Sequence, residues 1–181
     1  MTPLHISASN GDAETVRILL EAGAEVDARG PDDWTPLHMA AGLGHANITT
    51  MLLDAGAEVD ARDGGGQTPL HSLARNGLAE MISLLVDRGA NVEAIDLDGA
   101  TPLRRAILNR HENAVEELVT LGASVEKANS TNYRQSEFEE GMSDESIIEA
   151  IARGKRLRGK ADGERQIKCQ RQWGRQWWRT G

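Results

Sequence analysis

Apolar and polar positions follow a pattern that recurs every 33 residues through most of the chain. In each copy a short apolar run follows a Thr-Pro dipeptide, and a second apolar stretch ends in an apolar pair just before Gly-Ala. The four pairs are Leu19-Leu20, Leu52-Leu53, Leu85-Val86 and Leu118-Val119. A fixed period of this length indicates one supersecondary unit copied in tandem, with each copy burying its apolar face against the next.

The pattern predicts two helices in each copy. The first helix starts at Thr-Pro-Leu-His, or at Thr-Pro-Leu-Arg in the fourth copy, with the threonines at Thr2, Thr35, Thr68 and Thr101. Threonine caps free amides at a helix start, and proline is tolerated at the first helical position. Glycine ends this helix in three copies, whereas the fourth has Arg110. The second helix ends at the Gly-Ala dipeptides that begin at Gly23, Gly56, Gly89 and Gly122.

Turn-forming residues in segments 27–33, 60–66 and 93–99 complete the unit as helix, turn, helix and hairpin-like loop. These motifs resemble the ankyrin repeat family, whose signature is this helix start with Gly and Gly-Ala breaks at the same period. The resemblance covers about residues 1–126. It implies an all-α, L-shaped ankyrin-repeat solenoid with projecting hairpin tips. It also implies that the first helices and tips form a concave face that binds proteins, and that the chain is a scaffold and not a catalyst.

The repeat becomes irregular after Val125. The position of a fifth Thr-Pro-Leu-His, at 134–137, reads Arg-Gln-Ser-Glu. Segment 146–154 nevertheless resembles a second helix, because Ile147, Ile148 and Ile151 form an apolar stripe and Ser143 or Asp144 can cap it. The sequence therefore predicts four repeats over 1–126, a degenerate fifth repeat over 127–154 that closes the stack, and a disordered basic tail over 155–181.

The array opens on the helix start at Thr2, so the first copy lacks the hairpin segment that should precede it. Terminal repeats usually need a polar outer face. Met1 either begins a capping repeat or belongs to a fragment of a longer array, and we expect the fragment.

Charge separates the tail from the repeats. Residues 1–154 contain 11 Lys or Arg against 26 Asp or Glu, a net charge of −15, whereas residues 155–181 carry 9 against 2, a net charge of +7. The tail also holds three of the four tryptophans and the single cysteine, Cys169. A lone cysteine cannot form an internal disulfide, and no signal-like or membrane-spanning apolar run is present, so we expect a cytoplasmic protein.

The tail offers an alternative function. Arg171, Arg175 and Arg179 recur every four residues, and Trp173 and Trp177 recur likewise with an offset of two. On a helix this offset places arginine and tryptophan on opposite sides. The pattern suits either a membrane surface or single-stranded nucleic acid. Charged tails are most often disordered, and this tail could also fold back on the acidic repeats or be a wrongly assigned end.

The sequence predicts no catalytic, cofactor or metal site and therefore no enzyme. His5, His38 and His71 occur once per repeat, too far apart to share a metal, so each is expected to bridge neighbouring backbones. His45 and His111 are expected to be packing or surface residues. The Asp96-Leu97-Asp98-Gly99 segment resembles the start of a calcium loop but lacks a third acidic ligand and a closing glutamate. We interpret it as a hairpin turn.

The predicted partner contacts are positions at the tips and first helices that differ between copies. They are Arg29, Asp32, Trp34, Arg62, Gln67, Arg75, Asn76, Ile95, Leu97, Asp98, Leu108 and Asn109. Trp34 is equally consistent with an interface anchor and with packing against a hairpin.

From these positions we expect a monomer that binds a protein partner, with a basic partner surface favoured by the acidic repeats. The competing classes are nucleic-acid or membrane association through the tail, and a recognition fragment of a larger enzyme.

Overall fold

The computed structural model describes the backbone of residues 1–130 and 134–177, and the side chains of residues 1–130 and 134–162. These residues contain no β-strand, and a short 3₁₀ turn at Pro31–Asp33 occupies one hairpin position. The α-helices are α1 (Pro3–Asn10), α2 (Ala13–Glu21), α3 (Pro36–Gly42), α4 (Ala46–Asp54), α5 (Pro69–Asn76), α6 (Ala79–Asp87), α7 (Pro102–Leu108), α8 (Glu112–Thr120), α9 (Val125–Ala128), α10 (Gln135–Met142) and α11 (Glu145–Trp177).

The first helices begin as the Thr-Pro motif predicts. The Thr35 hydroxyl accepts the His38 amide at 3.4 Å, and the His38 ring accepts the Thr35 amide through Nδ1 at 3.2 Å. Proline occupies the first turn of α1, α3, α5 and α7. A left-handed residue follows each of these helices. It is glycine in three copies, whereas Arg110 adopts φ 57° in the fourth.

First helices pack against first helices and second helices against second helices along the stack. The leucine of each Thr-Pro-Leu motif is at most 1% exposed, so these side chains form the centre of the core. They are Leu4, Leu37, Leu70 and Leu103. The predicted all-helical ankyrin solenoid is therefore confirmed.

Two helices stack beyond the fourth repeat. Helix α10 packs on α7, and the first part of α11 packs on α8, as α7 and α8 pack on α5 and α6. Short helix α9 stands where earlier repeats have a hairpin. Phe138 is buried, and Asp144 caps α11 by accepting the Ser146 amide at 3.1 Å.

Helix α11 departs from the predicted tail boundary at Lys155, because it continues without a break to Trp177. Packing on α8 provides the nucleus, and residues 155–162 are mostly good helix formers such as lysine, arginine, leucine and alanine, so elongation costs little. The sequence predicts disorder for this segment, whereas the structure places the backbone of residues 155–177 in α11. The side chains of Trp173 and Trp177, and all of residues 178–181, lie outside the described residues. None of the described helices has both the length and the apolar character needed to cross a bilayer.

Candidate protein-binding surface

Arginine side chains tie successive hairpins together. Arg29 Nη1 donates to the Asp33 carbonyl at 3.1 Å and to the Arg62 carbonyl, one repeat further on, at 2.5 Å. Arg62 repeats the arrangement, donating to the Gly66 carbonyl at 3.0 Å and to the Ile95 carbonyl at 2.7 Å. These two predicted contact residues are exposed, but their guanidinium groups hold neighbouring loops at a fixed spacing.

The tip of the second repeat contains two consecutive left-handed residues, Asp32 (φ 54°) and Asp33 (φ 58°), and both are exposed. The Asp32 carbonyl accepts the Gly64 amide at 2.7 Å, which fixes this tip to the next one. Trp34 follows and is half-buried, with its ring centroid 6.1 Å from that of His38. Trp34 therefore packs on the frame and still keeps part of its surface open.

The tip at residues 93–99 exposes apolar surface, whereas the preceding tip does not. Leu97 is 78% exposed and Ile95 50% exposed, although the Leu97 amide is held by the Gly65 carbonyl at 3.0 Å. Gln67 is half-buried, and its amide donates to Asp63 Oδ1 at 2.8 Å. The Gln67 Oε1 atom is buried, and no described residue forms a hydrogen bond with it.

A buried ion pair occupies the tip of the fourth repeat. Arg105 contacts Asp96 Oδ2 through Nε at 2.9 Å and through Nη2 at 2.5 Å, and it reaches Asp98 Oδ2 at 2.7 Å. The Asp96 side chain is fully buried, and its other oxygen accepts the amides of Asp98 and Ala100 at 3.0 and 2.9 Å. A single guanidinium therefore pairs with both of the carboxylates that resemble the start of a calcium loop. No group of potential metal ligands occurs among the described residues.

The predicted residues at the ends of the first helices also have internal roles. Asn76 Nδ2 donates to the Gly42 carbonyl at 2.7 Å, and Asn109 Nδ2 donates to the Arg105 carbonyl at 2.7 Å. The Arg75 carbonyl is bonded by His111 Nε2 at 2.9 Å. Arg75 and Leu108 are half-buried, while Asn76 and Asn109 are exposed.

Three apolar side chains on α1 and α3 were not predicted as contacts. Ile6 is 49% exposed, Leu43 is 57% exposed and Met39 is half-buried. The usable signal was their position: Ile6 and Met39 follow the motif histidine, and Leu43 lies four residues after Met39, so it shares a helix face with Met39. Ile6 and Met39 lie within the first helices, away from the tips and helix ends where the predicted contacts lie.

The motif histidines bridge repeats, as predicted. Nδ1 of each ring accepts the amide of its own motif threonine, so the proton resides on Nε2, which donates to a carbonyl of the next hairpin. The donors are His5, His38 and His71, and the acceptors are the carbonyls of Trp34, Gln67 and Ala100 at 2.9, 3.0 and 3.0 Å. Burial lowers the pKa of the His38 and His71 rings below the usual 6.5.

Arg104 replaces this histidine in the fourth repeat. It is fully buried, and it donates to the Ala128 carbonyl at 2.7 Å and to Gln135 Oε1 at 3.2 Å. Its guanidinium carbon lies 4.2 Å from the centre of the Phe138 ring. Burial lowers the pKa of this guanidinium, and the charge of Arg105 lowers it further. The longer side chain reaches a carbonyl of α9 and a side chain of α10.

Comparison with known families agrees with this architecture. The model of the family described as ankyrin repeats (3 copies) matches residues 1–63 and 62–129, which together form more than half of the chain. No curated protein matches the chain. On the repeat motifs, the stacked helix pairs and this match, the chain belongs to the ankyrin repeat family.

Proposed function

We propose that this protein is a non-catalytic scaffold that binds a protein partner through its hairpin tips and first helices. Ankyrin repeats are in general protein–protein interaction modules. The observation that carries the proposal is the bonding between repeats. Arg29, Arg62 and the motif histidines fix each tip to its neighbour while Ile95 and Leu97 stay exposed. A surface ordered before binding loses less conformational entropy on association.

The test is affinity capture from a nuclease-treated lysate with the full chain, compared with the variant Ile95→Asp. Ile148→Asp is the matched control, because Ile148 is 51% exposed against 50% for Ile95 but lies on α11. We expect a stoichiometric protein that is retained by the control and reduced at least tenfold by Ile95→Asp. An equal loss with both variants, or no stoichiometric protein at all, would contradict the proposal.

A second candidate function follows from α11. Exposed Lys155, Arg156 and Lys160 lie on one continuous helix, and no ion pair is formed by them within the described part of the chain. This basic segment favours binding to the phosphates of single-stranded nucleic acid. The variant Lys155→Glu/Arg156→Glu should then weaken binding of a fluorescent single-stranded oligonucleotide and flatten its salt dependence. Binding of the oligonucleotide that neither salt nor the variant changes would exclude this function.

A further inference from the structure

In the third and fourth repeats, the side chains at the outward positions of the first helices are buried or bonded within the protein. Ser72 on α5 is buried, and Arg105 on α7 forms the buried ion pair with Asp96. Four residues further along these helices, Asn76 and Asn109 donate to backbone carbonyls. Arg105, Asn76 and Asn109 are thus bonded within the stack and Ser72 is buried, so this half of the concave face has few groups left for a partner.

The same positions in the first two repeats carry apolar side chains that stay partly exposed, although Met39 also packs against the core. They form the α1–α3 patch, defined as Ile6, Met39 and Leu43. Ile6 and Leu43 are about half exposed, at 49% and 57%. Helices α1 and α3 pack side by side, so the three side chains lie on adjacent helices of one face. Clustered exposed apolar groups of this kind mark interaction sites on soluble proteins.

Two carboxylates lie at one end of this patch. Asp32 and Asp33 are exposed in the tip that leads into α3, and in the described residues neither side chain forms an ion pair or a hydrogen bond. The tip is fixed in place, because the Asp32 carbonyl accepts the Gly64 amide at 2.7 Å and Arg29 donates to the Asp33 carbonyl at 3.1 Å. Unpaired carboxylates on a fixed tip attract a cation.

We propose that the α1–α3 patch and the Asp32–Asp33 tip together bind one peptide segment of a protein partner that is both apolar and basic. The segment places apolar side chains on α1 and α3, whose axes are expected to lie roughly 8–10 Å apart. A lysine or arginine of the segment pairs with Asp32 and Asp33. This inference rests on the proposed function and adds a second contact, in the first two repeats, to the one at Ile95 and Leu97.

The test uses the full chain and three random pools of 15-residue fluorescent peptides: leucine with arginine, leucine with glutamate, and serine with arginine. We expect the leucine–arginine pool to bind at least tenfold more strongly than either of the others. Ile6→Glu and Leu43→Glu should each reduce its binding at least fivefold. Ile18→Glu is the matched control and should leave binding unchanged, since Ile18 belongs to the same repeat and is 51% exposed but lies on α2.

The acidic tip is tested separately with Asp32→Asn/Asp33→Asn. These residues are exposed, and both asparagines tolerate the left-handed backbone, so the variant should fold with an unchanged urea midpoint. It should lose affinity for the leucine–arginine pool and also lose most of the salt dependence of that binding.

Several results would overturn the inference. If the serine–arginine pool binds as strongly as the leucine–arginine pool, the α1–α3 patch has no role in binding. If the leucine–glutamate pool binds as strongly as the leucine–arginine pool, the Asp32–Asp33 tip has no role. A captured protein that is lost with Ile95→Asp and retained with Ile6→Glu and Leu43→Glu would contradict this inference while leaving the proposed function intact. Failure of every pool and of protein capture would contradict both.

Discussion

The carboxylate of Asp96 binds more groups than any other tip residue. It pairs with Arg105 and accepts two backbone amides, and all of this occurs with a fully buried side chain. Removing one partner of a buried pair leaves the other charge uncompensated in a medium of low polarity. Asp98 also touches Arg105, but its side chain is 46% exposed, so water can replace it.

We therefore predict that Asp96→Ala lowers the free energy of unfolding by about 3–5 kcal/mol. The matched variant Asp98→Ala should lower it by less than about 1 kcal/mol, because an exposed ion pair contributes little. Urea unfolding followed by circular dichroism measures both values. Similar losses for the two variants would mean that burial does not distinguish these carboxylates.

The bridging histidines predict a pH dependence. Burial holds the pKa of His38 and His71 below the unfolded value of 6.5, so the unfolded chain binds more protons once the pH falls below that value. Above about pH 6.5 these two histidines do not lower the free energy of unfolding. Below that pH the free energy of unfolding falls as the pH decreases towards the lowered folded-state pKa values. Protonation of Nδ1 would also remove its bond with the threonine amide.

The free energy of unfolding should accordingly decrease between pH 7.5 and pH 5.5 in urea titrations of the wild-type chain. His38→Gln/His71→Gln should show a smaller decrease over the same interval, since the two titrating groups are gone. A pH dependence that is identical in both proteins would assign the effect to other groups.

At the scale of helices, glycine has opposite effects at two positions of α11. A Cβ added at Gly154 would lie 2.6 Å from the Glu116 carbonyl oxygen and 2.8 Å from Val119 Cβ, so α11 can approach α8 only without a side chain there. A Cβ at Gly159 would meet nothing within 4 Å. Glycine at this second position gives flexibility to the unfolded chain and has no packing role.

We predict that Gly154→Ala destabilises the protein by about 1–3 kcal/mol through overpacking. The control Gly159→Ala should instead raise stability by about 0.5–1 kcal/mol, as expected in a helix interior. Thermal and urea unfolding with a probe of helix content distinguish the two directions. A stabilising Gly154→Ala would mean that α11 can move away from α8 without loss.

At the scale of the whole molecule, the residues that hold the repeats together could be predicted from the sequence. The roles of the residues on its surface could be predicted only in part. The Thr-Pro-Leu-His motif gives the helix starts and the bridging histidines, because both depend on local capping and on a period visible in the sequence. Arg29 and Arg62 occupy equivalent positions 33 residues apart, and both donate to carbonyls one repeat away, as Asn76 does to the Gly42 carbonyl of the preceding repeat. The recurrence of arginine with the period was a usable signal for this role, whereas the acceptors are backbone carbonyls, which side-chain identity does not reveal.

The charge distribution predicts a salt effect on the whole molecule. The net charge of −15 over residues 1–154 produces mutual repulsion that ions screen. The urea midpoint should therefore rise between 20 and 500 mM NaCl. A variant in which Glu137, Glu139 and Glu140, exposed on α10, are changed to Gln should show a smaller rise. A falling midpoint would indicate that attractive ion pairs outweigh the repulsion.

Arg104 has a consequence for how this array could lengthen by duplication. An extra 33-residue segment inserted before α7 would bring its own histidine donor and offer a hairpin carbonyl to the histidine before it, so the new junction would be self-consistent. A segment inserted after the fourth repeat would place a hairpin where Arg104 now reaches Ala128 and Phe138, leaving a buried cation without these partners. The array can therefore lengthen by insertion between its existing repeats, whereas insertion after the fourth repeat is disfavoured because it would separate Arg104 from these partners.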